Sequence, residues 1–380
     1  MLGILPSIFS YNYIGVKMKR LKCDLVLLTT TILLVIFGLL MVYSASNVVA
    51  LYKYDDAYYY LKRQLIFAGI GISLMILIIN INLTKIYKYS TIIFLLSILC
   101  LILVLIPGIG VVRGGARSWI GIGSLSFQPS ELVKVSIIIF LSKYFSKYEK
   151  DLLKFKYFMF MLIIIGCVFG LIMLQPDFGT GLVIVLSSFI LLFMTGAPFK
   201  YFLILLLIGL CGIVALIISA PYRMERIFSF LDPWSDPLGS GFQAIQSLYA
   251  LAPSGLFGLG YNKSIQKHFF LPEPQNDFIF AIVAEELGLF GAAILLGLFL
   301  ILIFRIIKIA LNINNAFYKY ISFGISLVFF VQVFINIGVV IGLLPVTGIT
   351  LPIISYGGTS LMISLIMIGI VLNISKYRGE

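Results

Sequence analysis

Long apolar segments, separated by short polar stretches, run the whole length of the chain. A helix needs about 20 mostly apolar residues to cross a lipid bilayer. The apolar segments predict ten such spans, at 25–45, 64–81, 89–106, 129–146, 157–174, 179–196, 200–220, 277–305, 317–341 and 354–375. The pattern therefore predicts an all-α polytopic membrane protein. Its single membrane domain covers 25–375, between an N-terminal segment, 1–24, and a short tail, 376–380.

Basic residues are distributed unevenly between the loops on the two sides of the predicted spans. Cytoplasmic loops of membrane proteins are enriched in Lys and Arg. One set of alternate loops holds 17 of the 27 basic residues: Lys17, Lys19, Arg20, Lys22, Lys85, Lys88, Lys143, Lys147, Lys150, Lys154, Lys156, Lys200, Arg305, Lys308, Lys319, Lys376 and Arg378. This distribution predicts that both termini are cytoplasmic. It leaves a large extracytoplasmic loop at 221–276 and a shorter one at about 107–128.

The N-terminal segment has an unusual order of apolar and basic residues. Residues 1–16 are apolar and aromatic but too short to span, and the basic cluster at 17–22 follows them. A signal peptide carries its charges before the apolar segment. Two interpretations stay open: an interfacial helix, or a start of translation at Met18, which we favour.

Composition agrees with a membrane protein and argues against nucleic-acid binding. The chain has 61% hydrophobic and 11% charged residues, whereas soluble proteins carry roughly 25% charged residues. The net charge is +12, but the basic residues form short clusters between apolar segments rather than one basic surface. Four cysteines without pairing in an extracytoplasmic loop and one histidine predict neither a disulfide framework nor a zinc site.

The segment at 271–280, Leu-Pro-Glu-Pro-Gln-Asn-Asp-Phe-Ile-Phe, is the most informative polar stretch. Its two prolines favour an extended approach to a helix. Asn276 or Asp277 then occupies the position expected for an N-cap. Two interpretations of Asp277 stay open: it caps the helix, or its carboxylate is held at the membrane surface as a general base.

Other ionisable residues near span ends are costly to place there and are therefore candidates for function. Asp177 and Thr180 lie in a short turn, where capping of the sixth span is the favoured interpretation. The sequence Gln-Pro-Ser-Glu at 128–131 resembles a helix start with proline in the first turn. Glu131 and Lys134 are spaced to form an ion pair on one helix face.

Three arginines lie on the same predicted side of the membrane as these acidic residues. Arg223 and Arg226 directly follow the seventh span, and Arg117 lies in the shorter loop beside Trp119. Arginines at such positions act as interfacial anchors or as bidentate ligands of phosphate oxygens. A surface that gathers both signs of charge near the membrane suits a substrate with an anionic head group and a lipid tail.

Six motifs occur in order along the chain. They are Gly-Gly-Ala-Arg-Ser-Trp at 114–119, Gln-Pro-Ser-Glu at 128–131, Gln-Pro-Asp-Phe-Gly-Thr at 175–180, Asp-Pro-Trp-Ser-Asp-Pro-Leu-Gly at 232–239 with Gln243 and Gln246, the 271–280 segment followed by Glu-Glu-Leu-Gly at 285–288, and Pro-Val-Thr-Gly-Ile-Thr-Leu-Pro at 345–352 with Ser-Tyr-Gly-Gly at 355–358. Together they resemble the SEDS family, which includes FtsW, RodA and SpoVE proteins.

The resemblance implies a ten-span fold with cytoplasmic termini. It also implies peptidoglycan glycosyltransferase activity on lipid II at the outer face of the bacterial cytoplasmic membrane. Its implied partners are a class B penicillin-binding protein transpeptidase and other proteins of the division or elongation machinery.

The resemblance also implies roles for individual residues. The family's catalytic aspartate lies in an Asp-Phe-Ile-Phe motif, which assigns that role to Asp277, here as the base that takes a hydroxyl proton. Asn276 stands where the family usually has Thr, and Gln275 stands where many members have His. The Pro-Glu-Pro-Gln form resembles the division and sporulation branch.

The predicted substrate-binding set is larger. Arg117, Arg223, Arg226 and Lys267 are expected to hold the pyrophosphate. A divalent cation, Mg²⁺ or Mn²⁺, is one way to share that role, with Asp232 or Glu273 as oxygen ligands. The remaining members of the set are Glu131, Lys134, Asp177, Gln243 and Ser355.

Two alternative functions stay open. Ten spans with Glu285, Glu286 and Lys134 inside the membrane suit a lipid II flippase or another transporter. A transporter places substrate groups near the bilayer midplane, often at broken helices, whereas the polar residues here gather at one face. The other alternative is a non-catalytic scaffold that recruits the penicillin-binding protein.

Overall fold

The computed structural model describes residues 23–113, 116–122, 125–149, 151–218 and 221–377. The segment at 1–22, with Met18 and the first basic cluster, and Arg378 lie outside the described residues. Within the described part the chain forms twelve α-helices: α1 Leu25–Tyr54, α2 Tyr59–Asn80, α3 Leu83–Leu105, α4 Pro129–Lys147, α5 Phe155–Met173, α6 Phe178–Phe193, α7 Phe199–Ile218, α8 Pro221–Leu231, α9 Phe242–Leu251, α10 Ile279–Leu311, α11 Ala316–Val340 and α12 Gly358–Ile374.

Each of the ten predicted spans coincides with one long helix. By length and composition, seven of the described helices can cross a membrane, namely α1, α2, α3, α5, α10, α11 and the α12 segment, and α6 is a shorter apolar helix. The fold is therefore a polytopic helical membrane protein, as the apolar pattern predicts.

The helices differ in how far they are buried. In α11 and the α12 segment 78% of the most apolar window is buried inside the protein, against 22% in α2. Helix α11 packs against α10, α4 and α6, and α12 packs along α2. The α11 and α12 helices therefore form the centre of the bundle, and α2 presents an apolar face to lipid.

Helix α10 is broken at Gly288, about three turns from its N-terminal end. Gly288 has φ 66° and ψ −165°, which are not helical. A side chain at this position would collide with the backbone of Gly258 and Leu256. The peptide N–H groups of Leu259 and Gly260 donate to the carbonyls of Glu285 and Glu286, each at 2.9 Å. The loop before α10 therefore replaces the helical hydrogen bonds lost at the break.

Both predicted extracytoplasmic loops contain regular structure that hydropathy does not reveal. The shorter loop forms a three-stranded antiparallel sheet in the order β1 (Gly110–Arg113), β2 (Ala116–Ile122) and β3 (Leu125–Phe127). The larger loop contains α8 and α9. These strands are too short and too rich in glycine to give a clear alternating pattern.

Alternate loops gather at the two ends of the bundle. We call the end that carries the sheet, α8, α9 and the loop at 341–357 the sheet end. We call the other the terminal end, where α1 begins and α12 finishes. At the terminal end Arg305 pairs with Asp24 at 2.8 Å, and Ser375 accepts a hydrogen bond from the Asp24 N–H at 3.1 Å. This arrangement agrees with the predicted alternation of loops.

Candidate active site

Asp277 lies in a turn at the sheet end, just before α10. The helix begins at Ile279, its N-cap is Phe278, and within this described stretch no side chain caps it. The interpretation of Asn276 or Asp277 as the N-cap is therefore wrong, because the helix starts later than the proline pattern suggests. Asp277 is partly exposed, and its side chain does not cap α10.

The backbone of the Asp277 turn is held by three hydrogen bonds. The carbonyl oxygens of residues 275–277 accept, in order, from the Tyr356 N–H at 2.8 Å, the Ser355 hydroxyl at 2.6 Å and the Asn336 amide at 2.7 Å. Two of these donors come from the loop between α11 and α12, and one comes from α11. The position of Asp277 is thus fixed through its main chain.

The loop between α11 and α12 is itself held in an unusual conformation. Ile353, a β-branched residue, has a φ of 70°, which is rare for such a side chain. The Ser355 hydroxyl accepts from the Leu351 N–H at 2.8 Å, and Gln64 donates to the Ser355 carbonyl at 3.1 Å. A strained loop that grips the Asp277 turn on one side is typical of a functional site.

Gly348, in the same loop, faces the Asp277 carboxylate. Its φ is +73°, and a Cβ atom built there would lie 3.6 Å from Asp277 Oδ2. Any other residue would be strained in this conformation and would fill space beside the carboxylate. Glycine therefore keeps both the turn and the space next to Asp277.

Glu131 and Lys134 form the predicted ion pair on α4. The two charged groups are 2.8 Å apart with side-chain exposures of 6% and 3%, which confirms the prediction from their spacing. The Lys134 ammonium also donates to Gln332 at 3.1 Å, and Gln332 donates to the Thr350 carbonyl at 3.0 Å. The buried pair is thereby connected to the loop that faces Asp277.

Asp177 caps α6, as predicted, by accepting from the Thr180 N–H at 3.1 Å. Its second oxygen accepts from Gln128 at 3.0 Å and from Ser130 at 3.3 Å. Next to it, Gly179 packs closely against the Thr347 carbonyl. Asp177 therefore joins the starts of α4 and α6 and lies beside the same loop.

The structure thus brings two separate carboxylates and one buried ion pair to the loop at 345–357. The groups come from three different parts of the chain: Asp277 before α10, Asp177 before α6, and Glu131 with Lys134 on α4. Such a convergence of ionisable groups at one end of a membrane bundle is a strong indication of function. The arrangement can transfer a proton and bind a polar head group.

The family model for FtsW, RodA and SpoVE cell cycle proteins matches residues 24–380. The chain belongs to this family. The match covers every element of the candidate site and confirms the resemblance seen in the six motifs.

Two curated relatives illustrate the similarity in sequence. Stage V sporulation protein E of Bacillus subtilis strain 168 is 51% identical over 360 residues, which are 94% of this chain and 98% of that protein. A probable peptidoglycan glycosyltransferase FtsW of Coxiella burnetii is 43% identical over 355 residues, 92% of this chain and 95% of that protein. Both names agree with the division and sporulation branch.

Solved structures show the same fold. A chain from the structure titled "Structural coordination of polymerization and crosslinking by a peptidoglycan synthase complex" superimposes with a TM-score of 0.76 at 31% identity, over 95% of this chain and 99% of that one. The Thermus thermophilus rod shape determining protein RodA gives a TM-score of 0.69 at 27% identity, with 95% and 99% coverage.

Lys267 differs from the expectation for a pyrophosphate ligand. Its side chain is 2% exposed, and its ammonium lies 3.4 Å from Glu286. It also donates to the Asn262 carbonyl at 2.8 Å. The prediction that Lys267 holds pyrophosphate is not supported by this position, because the buried Glu286 carboxylate already uses its charge.

Other predicted substrate-binding residues belong to β2, to α8 and α9, and to the segment between those two helices. Arg117 is paired in the sheet with Val112, and its stem packs over Gly110. Asp232 is exposed and accepts from the Trp234 N–H at 3.2 Å, and Gln243 is half-buried on α9. Arg223 and Arg226 belong to α8, but their side chains are outside the described part of the structure.

Glu273 lies close to Asp277 in sequence but is engaged locally. It is exposed, has a φ of 48°, and accepts from Gln275 at 3.1 Å and from Asn276 at 2.8 Å. Among the residues that the structure describes, no three His, Cys, Asp or Glu side chains come together to hold a metal ion. A divalent cation held by Asp232 or Glu273 together with substrate phosphates stays a prediction.

Sequence reasoning missed the amides that position the site. Gln332 and Asn336 are one turn apart on α11, and Gln64 is near the start of α2; all three are buried. The available signal was an amide side chain inside an otherwise apolar span. Gly348 gave no signal, because its role depends on a neighbour that is remote in sequence.

Proposed function

We propose that this chain is a peptidoglycan glycosyltransferase that polymerises lipid II, with Asp277 as general base. The observation that carries the proposal is the partly exposed Asp277, fixed by three main-chain hydrogen bonds and facing Gly348. Membership of the family and the names of relatives at 51% and 43% identity support it.

The proposed reaction is a single displacement. Lipid II carries a disaccharide-peptide on undecaprenyl pyrophosphate. The 4-hydroxyl of one N-acetylglucosamine attacks the anomeric carbon of another chain's N-acetylmuramic acid, so a carbon–oxygen bond forms there. The bond from that carbon to the pyrophosphate oxygen breaks, and the pyrophosphate leaves with the electron pair. The anomeric configuration inverts from α to β.

Asp277 would receive the proton from the attacking hydroxyl. General base catalysis of this kind contributes about 10²–10⁴-fold to the rate. It requires a carboxylate held within hydrogen-bonding reach of the hydroxyl, and the fixed main chain at residues 275–277 supplies that constraint.

The leaving pyrophosphate needs positive charge more than it needs a proton. Lys134 is already paired with Glu131, and Lys267 is paired with Glu286. We therefore assign the pyrophosphate to Arg223 and Arg226 of α8, which lies at the sheet end, with Arg117 of β2 as a further ligand. Planar guanidinium groups suit phosphate oxygens because they can bind two at once.

We place the active face outside the cytoplasm. The described basic residues at the terminal end include Lys85, Lys88, Lys308 and Lys376, whereas most of the described acidic residues lie at the sheet end. The positive-inside rule then makes the terminal end cytoplasmic. A class B penicillin-binding protein is the proposed partner, and the structural neighbour from a peptidoglycan synthase complex supports an assembly of this kind.

The experiment is polymerisation of purified lipid II by the purified protein in lipid nanodiscs, followed by gel separation of the glycan strands. Asp277→Asn keeps the shape of the side chain and removes the base, so polymer should fall by about 10²–10⁴-fold. Thermal unfolding should remain near that of the unmodified protein.

Asp56→Asn is the matched control, because Asp56 is another carboxylate at the sheet end. The hydrogen bond from Lys62 lowers the pKa of Asp56 below its usual value, so this control also removes an ionised group. It should polymerise normally. Full activity of Asp277→Asn would remove Asp277 as the base and with it the mechanism.

The broken α10 is the one observation that favours a flippase. Broken helices bind substrate in many transporters, and Glu285 and Glu286 lie at the break. Both carboxylates, however, accept hydrogen bonds from the loop at 262–266, so their oxygens already have partners within the protein. Scrambling of lipid II in liposomes without any polymer would favour the flippase over the enzyme.

A further inference from the structure

Four tyrosines form a continuous cluster where α1 meets α2 at the sheet end. We call Tyr54, Tyr59, Tyr60 and Tyr356 the tyrosine cluster. The rings of Tyr54 and Tyr59 are stacked, with centroids 3.7 Å apart and planes 10° apart. Tyr60 meets Tyr59 edge-on at 5.4 Å and Tyr356 at 4.8 Å. The cluster thus connects the corner between two helices to the loop between α11 and α12.

The tyrosine cluster is directly connected to the turn that carries Asp277. The Tyr356 N–H donates to the Gln275 carbonyl at 2.8 Å, two residues before the proposed base. The guanidinium of Arg63 lies over the Tyr59 ring at 4.5 Å. The exposed Glu273 belongs to the segment just before Asp277, where it accepts from the Asn276 amide at 2.8 Å. The aromatic surface therefore begins beside the reaction centre.

The members of the cluster differ in exposure. Tyr60 is 8% exposed, whereas Tyr54 is 45% exposed, and Tyr356 is half-buried. Burial raises the pKa of the Tyr356 phenol above its ordinary value, so that phenol stays neutral and can donate a hydrogen bond. The surface therefore has a buried centre at Tyr60 and an open edge at Tyr54.

The ordinary explanation for tyrosines at this level is the aromatic belt of membrane proteins. Belt residues place single rings among the lipid head groups. Here the rings pack on one another and on Arg63, and the innermost ring contacts the loop that holds the Asp277 turn. An interfacial belt explains none of these contacts.

We infer that the tyrosine cluster, with Arg63 and Glu273, is a saccharide subsite that holds the sugar rings of the glycan strand next to the reacting end. The inference rests on the proposed function. Pyranose rings have apolar C–H faces that pack against aromatic rings, while their hydroxyl and acetamide groups need polar partners. Tyrosine supplies both an apolar face and a polar tip, and Arg63 and Glu273 add a donor and an acceptor.

A surface of this kind retains the strand between successive additions. The first test is therefore the length distribution of strands made from lipid II at low conversion. Tyr54→Ala with Tyr59→Ala should shorten the mean strand about fivefold while lipid II consumption changes little, because only retention is weakened. Tyr54→Trp keeps an aromatic face and should make strands of normal length.

Tyr52→Ala is the matched control. Tyr52 is near the same end of α1, is 78% exposed, and packs on Phe269 rather than on the cluster. It should leave strand length unchanged, whereas a belt role would make it as important as Tyr54. Thermal unfolding in nanodiscs identifies a variant that is misfolded, and Tyr54→Ala alone then replaces the double variant. Unchanged strand length in a folded variant overturns the inference.

The second test does not depend on turnover. Binding of N-acetylchitotetraose to the protein in nanodiscs is measured by saturation-transfer NMR. The double variant should lose about fivefold in affinity, and Tyr52→Ala should lose none. Binding through the cluster without any polymerisation would refute the proposed function but keep the subsite. Polymerisation with equal tetrasaccharide binding by all variants would keep the function and refute the subsite.

Discussion

The ionisable groups along α10, and in the turn before it, differ in how far they are exposed. The break at Gly288 divides the helix into a shorter N-terminal part and a longer C-terminal part. Asp277, just before the shorter part, is partly exposed and is fixed by bonds to main-chain carbonyls. Glu285 and Glu286, at the end of that part, have no exposed surface. Arg305, far along the longer part, is half-buried and pairs with Asp24. Helix α10 and the turn before it therefore carry a partly exposed carboxylate, a buried pair of carboxylates and an ion pair at the terminal end.

The buried Glu286 and the partly exposed Asp277 show two ways in which the protein holds an acidic residue. Glu286 accepts from Ser44 at 2.7 Å, from the Asn262 and Ser264 N–H groups at 2.9 and 3.1 Å, and from Lys267 at 3.4 Å. A carboxylate with this many donors inside the protein stabilises structure. Asp277 differs in that its side chain is partly exposed beside Gly348, while its main-chain carbonyl is held by Asn336.

The largest loss of stability is expected when the buried Glu286 is replaced. Glu286→Leu leaves the buried Lys267 ammonium and the donors from Ser44, Asn262 and Ser264 without their acceptor. Removing one partner of a buried ion pair costs about 3–5 kcal/mol. The free energy of unfolding, measured by SDS titration in detergent micelles, should fall by that amount, and activity should fall because the Asp277 turn loses its distal support.

Lys267→Met is the matched variant. It removes the cation but leaves Glu286 with three other donors, so its cost should be smaller, about 1–3 kcal/mol. If Lys267→Met destabilised the protein as much as Glu286→Leu, the network would depend on the cation and not on the carboxylate. The contrast drawn between Glu286 and Asp277 would then be wrong.

The fold was largely predictable from the sequence, because a bilayer imposes one length and one composition on every span. Ten segments therefore coincide with ten helices. The break at Gly288 was not predictable in this way, since a glycine within an apolar segment changes hydropathy little. Its cause is the close approach of the backbone at Leu256 and Gly258, about 30 residues earlier. The N–H groups of Leu259 and Gly260 there replace the missing helical bonds.

The candidate site was predictable where the interaction is local. The Asp177 cap and the Glu131–Lys134 pair each join residues three apart, and both are present. The burial of Lys267 against Glu286 was not predictable, because the two residues are 19 apart and nothing in the local sequence identifies the pair. Asn336, which fixes Asp277 from 59 residues away, was missed for the same reason.

An intermediate effect is expected at the far end of the longer part of α10. Arg305 donates to both Asp24 oxygens, at 3.0 and 2.9 Å, and Asp24 also caps α1 through the Leu27 N–H at 2.8 Å. Arg305→Met should lower the free energy of unfolding by about 1–3 kcal/mol, because a buried carboxylate loses its charged donor. Polymerisation per folded molecule should be unchanged, since this pair lies at the terminal end.

Lys308→Met is the control for the loss of a basic residue on the same part of α10, where the structure gives no ion pair among the described residues. It should leave stability nearly unchanged. A loss of activity in Arg305→Met, at equal amounts of folded protein, would mean that the terminal end communicates with the Asp277 turn. The longer part of α10 would then have more than a structural role.

The smallest effect is expected from a single hydroxyl beside the reactive end. Ser355 donates to the Asn276 carbonyl at 2.6 Å and accepts from the Leu351 N–H at 2.8 Å, so Ser355→Ala frees the Asp277 turn on one side without removing charge. The rate of polymerisation at saturating lipid II should fall about tenfold, which corresponds to a rise of about 1.4 kcal/mol in activation free energy, with little change in KM.

Ser326→Ala is the control. It removes an equally buried hydroxyl that donates only within its own helix, to the Phe323 carbonyl at 2.7 Å, and it should leave the rate unchanged. A rise in KM with an unchanged maximal rate in Ser355→Ala would instead make the hydroxyl a contact for substrate. Main-chain fixation would then not be what distinguishes Asp277 from the buried Glu285 and Glu286.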